Sequence, residues 1–324
     1  MKRSVRKIIL LALIAVFAVS AGMLIRELVQ YRQGEETYDE AKELAKIPDF
    51  SAPKKIQSAT SSSASAVKPA EDPYAEQLGK MDFSALSKVN GEVFGWILVP
   101  GTAVSYPLLN GSDNSYYLRH TWRKESSVVG AIFLEESNSP RLSDFNTIIY
   151  GHNMNNGSMF GTLKKYRTKS YWRAHPDIYL TTSSGSRRYQ IFAAYEVSTQ
   201  GKTYQIGFPS DASRQSFLDY CLKRSNYNTG VTPHTYDTIL TLSTCTGHGH
   251  ATRWVVQARL PGTKPANTRT ANAQTDAKKT ESSKTDEKKE TTPNAASSAA
   301  SSAAASSSAA PETSAASDAS GMAG

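Results

Sequence analysis

The most reactive side chain of the sequence, the thiol of Cys245, ends a run of residues that favours a β-strand, residues 236–245. An arginine, Arg253, begins the next such run, residues 253–260. A thiolate can attack a carbonyl carbon to form a thioester, and a guanidinium can stabilise the oxyanion that forms with it. His152 follows a third run of this kind and has the side chain best suited to proton transfer. These residue types together indicate nucleophilic catalysis by cysteine.

The alternation of side chains along a strand predicts that the thiol and the guanidinium meet. If residues 246–252 form a loop between two antiparallel strands, Cys245 and Arg253 lie roughly opposite each other with side chains on one face. The other face of each run is mostly apolar, and we expect it to form the core: Leu240, Leu242 and Thr244 in the first run, and Trp254, Val256, Ala258 and Leu260 in the second. Cys245 and Arg253 are therefore predicted on the polar side.

Each of these residues also has a structural interpretation. Cysteine is often a small buried hydrophobe, but the alternation argues against that role for Cys245. Arg253 alone would be a surface cation, and His152 alone would be a structural histidine. The second cysteine, Cys221, lies in a helical pattern on the same face as Phe217, and we expect it to pack in the core.

A metal site is the competing interpretation of the cysteine segment. Cys245, His248 and His250 form C-x-x-H-x-H, which is part of a zinc-binding pattern. Zinc normally takes a fourth ligand, and no second Cys or His pair is near in the sequence. We therefore predict no metal and no cofactor.

The N-terminus carries a candidate membrane span. Basic residues precede an uncharged run, residues 8–25, which as a helix is roughly 27 Å long, about the thickness of the hydrocarbon layer. The positive charge predicts a cytoplasmic N-terminus and an exported remainder. The alternative is a signal peptide cleaved after the small residues 18–21, but the apolar run continues through residues 23–25 and favours a retained anchor.

Composition divides the rest of the chain. Aromatic residues stop at Trp254, and an Ala/Ser-rich tail follows that has nothing to bury. The net charge of +8 comes without a stripe of basic and aromatic residues, which argues against nucleic-acid binding. The expected organisation is a cytoplasmic N-terminus (1–7), a transmembrane signal anchor (8–25), a juxtamembrane helix and flexible linker (26–72), one folded domain (73–262) and a disordered tail (263–324).

Within the folded domain, strand-like runs predominate. About eight such runs, separated by turn signals and joined by short helices, predict a mainly β fold that is a closed barrel or a sandwich. A longer helix is predicted at residues 211–225, before the cysteine strand.

At the residues described above, the chain resembles the sortases. The T-L-x-T-C strand end of that family is matched by residues 241–245, its histidine by His152 and its arginine by Arg253. The helix before the cysteine strand and the helical N-terminal extension are similar to those of class B members. The resemblance implies a closed sortase-type β-barrel of about eight strands with short connecting helices, plus the N-terminal transmembrane helix.

The resemblance also implies a substrate pocket. Asn114 and Leu118 look like class B pocket positions, and Ser243 and Thr244 belong to the cysteine motif. Class B members often have an acidic residue after the cysteine, where this chain has Thr246, and the long tail is also untypical. These departures from the class B pattern bear on which substrate is preferred and not on the reaction that the resemblance implies.

The activity implied by the resemblance is transpeptidation at the outer face of the membrane of a Gram-positive-type bacterium. Cys245 would cleave a C-terminal sorting motif of a surface protein or pilin after threonine, with His152 and Arg253 assisting. An amine of a peptidoglycan precursor, or a pilin lysine, would then resolve the thioester. The alternatives are a cysteine protease that releases its acyl group to water and a catalytically idle cell-wall-binding module.

Overall fold

The computed structural model of the protein describes residues 3–47, 72, 74–247 and 251–263. The helices are α1 (Arg3–Leu44), α2 (Ala75–Leu78), α3 (Phe83–Val89), α4 (Lys169–Ala174) and α5 (Asp211–Arg224). The strands are β1 (Val93–Leu98), β2 (Ser105–Leu109), β3 (Ile132–Leu134), β4 (Asn146–Tyr150), β5 (Asp177–Thr182), β6 (Gly185–Ser198), β7 (Thr238–Cys245) and β8 (Thr252–Leu260). Short 3-10 helices occupy Tyr116–Leu118, Gly161–Arg167 and Lys202–Tyr204. His248, His250 and the predicted tail beyond residue 263 lie outside the described residues.

The eight strands form a closed barrel in the order β1-β2-β3-β4-β7-β8-β6-β5. Two neighbouring pairs, β2 with β3 and β4 with β7, are parallel, and the other pairs are antiparallel. The predicted mainly β fold with about eight strands is confirmed, and it is the barrel rather than the sandwich. Closure leaves no strand edge unpaired within the barrel.

The barrel is filled by large apolar side chains. Trp254, Leu242 and Leu240, which the alternation assigned to the core face, are buried in the main apolar cluster, together with Val256 and Ala258. Each fully buried side chain of this size contributes roughly 1.5–3 kcal/mol through the hydrophobic effect. The assignment of the core face is therefore correct for both strands.

The other face of these two strands is also buried, which differs from the expected polar surface. Helix α5 covers it, and Phe217 and Cys221 of the helix share a second apolar cluster with Ile239 of β7 and Val255 of β8. The predicted core position of Cys221 is correct. Only the ends of β7, including Cys245, remain partly exposed.

Helix α5 has strong local start and stop signals. Ser210 and Ser213 form a capping box at its N-terminus, in which each side chain bonds to the backbone of the other residue. Asp211 lies in the first turn, and Lys223 and Arg224 lie in the last, where charges of these signs complement the helix dipole. These signals explain why the sequence pattern located this helix well.

Helix α1 has two different halves. Its apolar first half, as far as Ile25, is exposed and long enough to cross a membrane by length and composition. Its second half packs against the barrel through Gly34, Tyr38 and Ala41, followed by Ala45 after the helix end, all of which are buried. Their spacing places them on one face of the helix. The segment after the apolar run is thus part of the folded unit.

Polar contacts fix the docked half of α1 in place. The hydroxyl of Tyr38 donates a 2.5 Å hydrogen bond to the carbonyl oxygen of Gly130, and the indole of Trp122 donates one of 2.8 Å to the carbonyl oxygen of Thr37. Gly34 lies against Val129 so closely that a Cβ there would come within 2.8 Å of its methyl groups. The helix therefore has one defined position on the barrel.

Candidate active site

Cys245 and Arg253 are direct partners across the antiparallel pair formed by β7 and β8. Cys245 is the last residue of β7, and Arg253 is the second residue of β8. Opposed residues of an antiparallel pair project their side chains to the same face. The register predicted from alternation is confirmed, so the thiol and the guanidinium leave the barrel at one end and on one side.

His152 reaches the same end because β4 runs parallel to β7. The last pair in that ladder is Tyr150 with Ser243, and the amide of Gly151 extends it with a 3.2 Å hydrogen bond to the carbonyl oxygen of Ser243. In return, the hydroxyl of Thr244 donates a 2.7 Å hydrogen bond to the carbonyl oxygen of Gly151. The residue before the histidine is thus joined to the residue before the cysteine.

Two glycines make room for the imidazole. A Cβ on Gly151 would lie 2.4 Å from Ile132 and 2.8 Å from the ring of Phe160. Gly130 has a φ of +58°, and a Cβ there would lie 2.9 Å from Cδ2 of His152. Both contacts are shorter than side chains tolerate, and the second position also has the left-handed backbone that favours glycine. The chain around His152 is therefore closely packed.

A backbone carbonyl orients the ring of His152. Its Nε2 atom lies 2.6 Å from the carbonyl oxygen of Leu118. A carbonyl oxygen can only accept a hydrogen bond, so Nε2 carries a hydrogen. Nδ1 is then the nitrogen left to gain and lose a proton. The backbone of Leu118 thus orients His152, while its side chain lines the cavity.

All three residues line one cavity of about 290 Å³ at the end of the barrel. His152, Cys245 and Arg253 share it with the four residues predicted to contact substrate, Asn114, Leu118, Ser243 and Thr244. The remaining lining residues are Phe133, Tyr150, Gly151, Thr199 and Tyr204. A thiol, an imidazole and a guanidinium in one cavity provide a nucleophile, a proton carrier and an oxyanion ligand.

The side chain of Asn114 is held by a buried carboxylate that the sequence did not reveal. Asn114 donates a 2.7 Å hydrogen bond to Oε1 of Glu135, and the hydroxyl of Tyr150 donates one of 2.6 Å to Oε2. Glu135 is 9% exposed. Burial raises the pKa of Tyr150 well above its usual range, and Glu135 raises it further while Arg253 opposes the rise. Tyr150 therefore stays a neutral donor.

A second tyrosine of the cavity, Tyr204, is stacked beside Tyr150, with ring centroids 6.5 Å apart. The hydroxyls of Tyr204 and Ser243 are 2.9 Å apart. Burial raises the pKa of Tyr204 to about 12, and the hydrogen bond with Ser243 and the charge of Arg253 limit that rise. The guanidinium thus lies close enough to Tyr150 and Tyr204 to act on both phenols. Its Nη1 also donates a 3.1 Å hydrogen bond to the carbonyl oxygen of Thr252.

The four residues predicted to contact substrate differ in how far their side chains are exposed to the cavity. Leu118 is 39% exposed and can contact a ligand directly, while Asn114 is partly buried. Thr244 is only 2% exposed, and its hydroxyl is already bonded to Gly151. The tyrosines at 150 and 204, with Glu135, have no sequence pattern of their own. The closest signal was the position of Tyr150 at the end of a strand, immediately before Gly151 and His152.

The two cysteines are both free, and they differ in their surroundings. Cys221 is fully buried on the inner face of α5, and burial raises the pKa of its thiol to about 11. Cys245 is partly exposed at the cavity. Among the described residues, no group of three metal-ligating side chains comes together. His248 and His250, on which the zinc alternative depended, are outside the described part.

The chain is similar to known proteins in sequence and in fold. The sequence model of the Sortase domain family matches residues 97–261. The chain is 38% identical over 160 residues to a sortase B of Listeria monocytogenes, covering 49% of this chain and 65% of that protein. It is 34% identical over 163 residues to a sortase B of Staphylococcus aureus, covering 50% and 67%. The chain therefore spans just under two thirds of the length of the Listeria relative.

Solved structures show the same likeness. A Staphylococcus aureus sortase B–substrate complex superposes with a TM-score of 0.53 at 33% identity, covering 56% of this chain and 85% of that one. Sortase B of Bacillus anthracis in complex with AAEK1 gives a TM-score of 0.58 at 28% identity, covering 73% and 100%. Residues 97–261, which the family model matches, include strands β2 to β8.

Proposed function

This chain belongs to the sortase family and resembles its class B members, and from that premise we propose that it is a transpeptidase that anchors proteins to the cell wall. The observation that carries the proposal is the single cavity lined by His152, Cys245 and Arg253. Family membership supplies the reaction class, and the cavity supplies a residue for each step.

In the proposed first half-reaction, the thiolate of Cys245 attacks the carbonyl carbon after the threonine of a sorting motif. Arg253 stabilises the negative charge that develops on the carbonyl oxygen, because its planar guanidinium can donate two parallel hydrogen bonds. The carbon–nitrogen bond then breaks, and the protonated imidazole of His152 gives its proton to the leaving amine. The product is a thioester on Cys245 and a neutral imidazole.

In the second half-reaction, an acceptor amine attacks the thioester. The carbon–sulfur bond breaks, sulfur leaves as the thiolate, and the imidazole of His152 takes up a proton from the amine. The pair of thiolate and imidazolium is then ready for another cycle. The acceptor we propose is an amine of a peptidoglycan precursor, or a lysine of a pilin.

The cavity is the proposed binding site for the sorting motif. A sortase B of Staphylococcus aureus has been solved with a substrate, and the likeness to that protein covers the barrel. We assign a polar contact of the motif to Asn114 and an apolar contact to the exposed side chain of Leu118. Ser243 and Thr244, whose hydroxyls are already bonded to Tyr204 and Gly151, are assigned to the wall of the motif site, which Tyr150 and Tyr204 also line.

The exposed apolar half of α1 supports a membrane anchor. We propose that residues 1–7 are cytoplasmic, that 8–25 form a single-pass signal anchor, and that residues 73–262 form the catalytic domain outside the membrane. Residues 26–72 then join the anchor to the domain, and residues 263–324 form a tail. The basic residues before the apolar run support this orientation.

The test is incubation of the purified full-length chain in detergent with a panel of sorting-motif peptides. Cleavage and the mass of the acyl-enzyme are read by mass spectrometry, with and without triglycine as the amine. We expect one peptide to be cleaved, a thioester on Cys245, and a peptide–triglycine product. Acyl release to water alone would indicate a protease, and absence of any thioester would indicate an idle wall-binding module. Cys245→Ala is the matched control and should form no acyl-enzyme.

A further inference from the structure

A second groove, of about 520 Å³, reaches Cys245 from the side of the N-terminal helix. Its helical wall consists of Met23, Arg26, Glu27, Gln30 and Tyr31, and its barrel wall consists of Val128, His152, Asn153, Met154 and Cys245. We refer to it as the α1 groove. His152 and Cys245 line both the α1 groove and the cavity assigned to the sorting motif. The thiol is therefore open from two sides.

Two openings match the requirements of a two-step transfer. After the first half-reaction, the acyl part of the motif is attached to Cys245 and occupies the cavity. The acceptor amine must then reach the thioester carbonyl from a direction that the peptide does not fill. The α1 groove is such a path, and His152 lies along it at the point where the amine must lose a proton.

The charges along the helical wall favour an amine. Primary amines are mostly protonated near pH 7, since their pKa values are about 8 for an α-amine and about 10 for a lysine. Glu27 is the one acidic residue of the groove lining, and its Oε1 accepts a 3.1 Å hydrogen bond from the hydroxyl of Tyr31, one turn further along the helix. The pair presents an anchored carboxylate to an ammonium group.

The other charged groups of the lining are Arg26 and His152. Arg26 directly follows the apolar run of α1, where long basic side chains extend toward lipid phosphates. His152 is neutral once it has protonated the first leaving group. At the moment when the acceptor enters, Glu27 is thus the lining residue whose charge attracts it.

The position of Glu27 is fixed by the docking of α1. Seven residues, or about 10 Å of helix, separate it from Gly34, which lies against Val129. Close to that point, the side-chain amide of Asn156 donates a 3.0 Å hydrogen bond to Oε1 of Glu35. The helix therefore holds its carboxylate beside the His152 loop.

We infer that the α1 groove is the binding site of the acceptor amine and that Glu27 binds its ammonium group, an inference that rests on the proposed transpeptidase function. In the transfer, the ammonium loses two protons, one to the imidazole of His152 and one to solvent. A bond forms between its nitrogen and the thioester carbon, and the sulfur of Cys245 leaves as thiolate. Glu27 takes no part in bond formation and acts on amine binding.

One experiment needs no knowledge of the motif. Full-length protein in detergent is treated with three methanethiosulfonates of different charge: a cationic trimethylammonium, an anionic sulfonate and a neutral methyl reagent. Modification of Cys245 is followed by mass spectrometry. We expect Glu27→Gln to lower the ratio of cationic to anionic rates about fivefold, the order expected from one charge near the thiol in largely aqueous surroundings. The neutral reagent should react at an unchanged rate.

The matched control is Glu36→Gln. Glu36 lies on the same helix, nine residues from Glu27 and so on the opposite face, where it pairs with Arg32 at 3.6 Å. It should leave all three rates unchanged. An unchanged rate ratio in Glu27→Gln, or an equal fall in Glu36→Gln, would overturn the inference. A Cys245 that fails to react even with the neutral reagent would instead refute the proposed nucleophile.

A second measurement uses a peptide that the panel shows to be cleaved, with triglycine as acceptor. In Glu27→Gln, the KM for triglycine should rise about fivefold. The rate of thioester formation without triglycine should stay at the wild-type value. An unchanged KM for triglycine would overturn the inference and leave the proposed function intact. Loss of thioester formation in wild-type protein would refute the proposed function itself.

Discussion

The hydroxyl of Thr244 donates a 2.7 Å hydrogen bond to the carbonyl oxygen of Gly151, so the residue before the thiol is joined to the residue before the imidazole. The strands that carry them, β4 and β7, are parallel neighbours far apart in the sequence. Parallel pairing brings their carboxyl ends to the same edge. This bond and the one from the amide of Gly151 to the carbonyl oxygen of Ser243 join the chain segments that lead to Cys245 and His152.

Thr244→Val tests whether the hydrogen bond from Thr244 affects acylation of Cys245 when every reacting side chain is kept. Valine has nearly the same shape, but it leaves the buried carbonyl of Gly151 without its donor, at a cost of about 1–3 kcal/mol in the free energy of unfolding. We expect acylation of Cys245 to slow roughly tenfold or more, because small displacements of reacting groups are costly. Urea unfolding and acyl-enzyme mass would measure both effects. The control is Thr238→Val, at the other end of β7, which should preserve the acylation rate. A wild-type acylation rate in Thr244→Val would contradict a positioning role for the hydrogen bond of Thr244.

Arg253→Lys keeps a positive charge but loses the planar fork of the guanidinium. We expect kcat to fall about a hundredfold, since removing one oxyanion ligand typically has that effect. Turnover of the cleaved peptide and the melting temperature should be measured together. Arg173→Lys, on the exposed face of α4, is the control and should leave kcat unchanged. Normal turnover with lysine at position 253 would mean that Arg253 is only structural.

Glu135→Gln tests whether the buried carboxylate positions the peptide pocket. A glutamine has one acceptor oxygen and no charge, so it can keep the bond from Asn114 only by turning its amide toward Tyr150, whose hydroxyl must then accept instead of donate. We expect the KM for the peptide to rise about tenfold, because both bonds lose the assistance of the negative charge and the bond to Tyr150 is reversed. Modification of Cys245 by a neutral methanethiosulfonate should be unaffected.

The control for that variant is its neighbour, Glu136→Gln. The side chain of Glu136 is exposed, and only its backbone amide contacts Asn114. We expect the Glu136→Gln enzyme to have the wild-type KM for the peptide. A Glu135→Gln enzyme with an unchanged KM for the peptide would show that the pocket does not depend on this carboxylate.

Cys221 should make stability depend on pH above the ordinary range of thiols. Burial raises the pKa of its thiol from 9.0 to about 11, so the folded state holds the proton more tightly than the unfolded chain. Below pH 9 both states are protonated and the effect is absent. Between pH 9 and 11 the unfolded chain ionises first, so stability falls as pH rises, by about 1–2 kcal/mol at pH 10.5.

Urea unfolding of wild-type protein and Cys221→Val at pH 8.5 and pH 10.5 would measure this difference. The tyrosines are the same in both proteins and cancel. We expect the valine variant to lose less stability over this range. Equal losses would contradict a buried neutral thiol, and iodoacetamide labelling at pH 8 provides an independent check, since it should modify Cys245 and spare Cys221.

The sequence was sufficient to place the thiol opposite the guanidinium because that relationship is local. Cys245 and Arg253 are separated by one loop, and the period of two in a strand decides the face. The same alternation suggested a polar outer face, which was wrong because α5 covers it with Phe217 and Leu218. Which surface a distant helix covers is not encoded in the pattern of the strand.

Other parts of the site had weaker signals. The approach of His152 depends on the parallel pairing of β4 with β7, which no local pattern specifies, so the prediction relied on the family resemblance. Glu135 sits beside another acidic residue, and nothing in the sequence marks it as the buried one. The docked face of α1 was not predicted, since residues 26–72 were expected to be a juxtamembrane helix and linker, and the surface that Gly34, Tyr38 and Ala41 fit exists only in the folded barrel.

The unbroken course of α1 has a geometric consequence for the proposed membrane anchor. The helix passes from its apolar half to its docked half without a hinge, so the number of residues between Ile25 and Gly34 sets both the height and the heading of the barrel. Adding a single residue there would lift the barrel by about 1.5 Å and turn it by about 100° around the helix axis. The direction in which Cys245 faces would therefore depend on the eight residues of helix between Ile25 and Gly34.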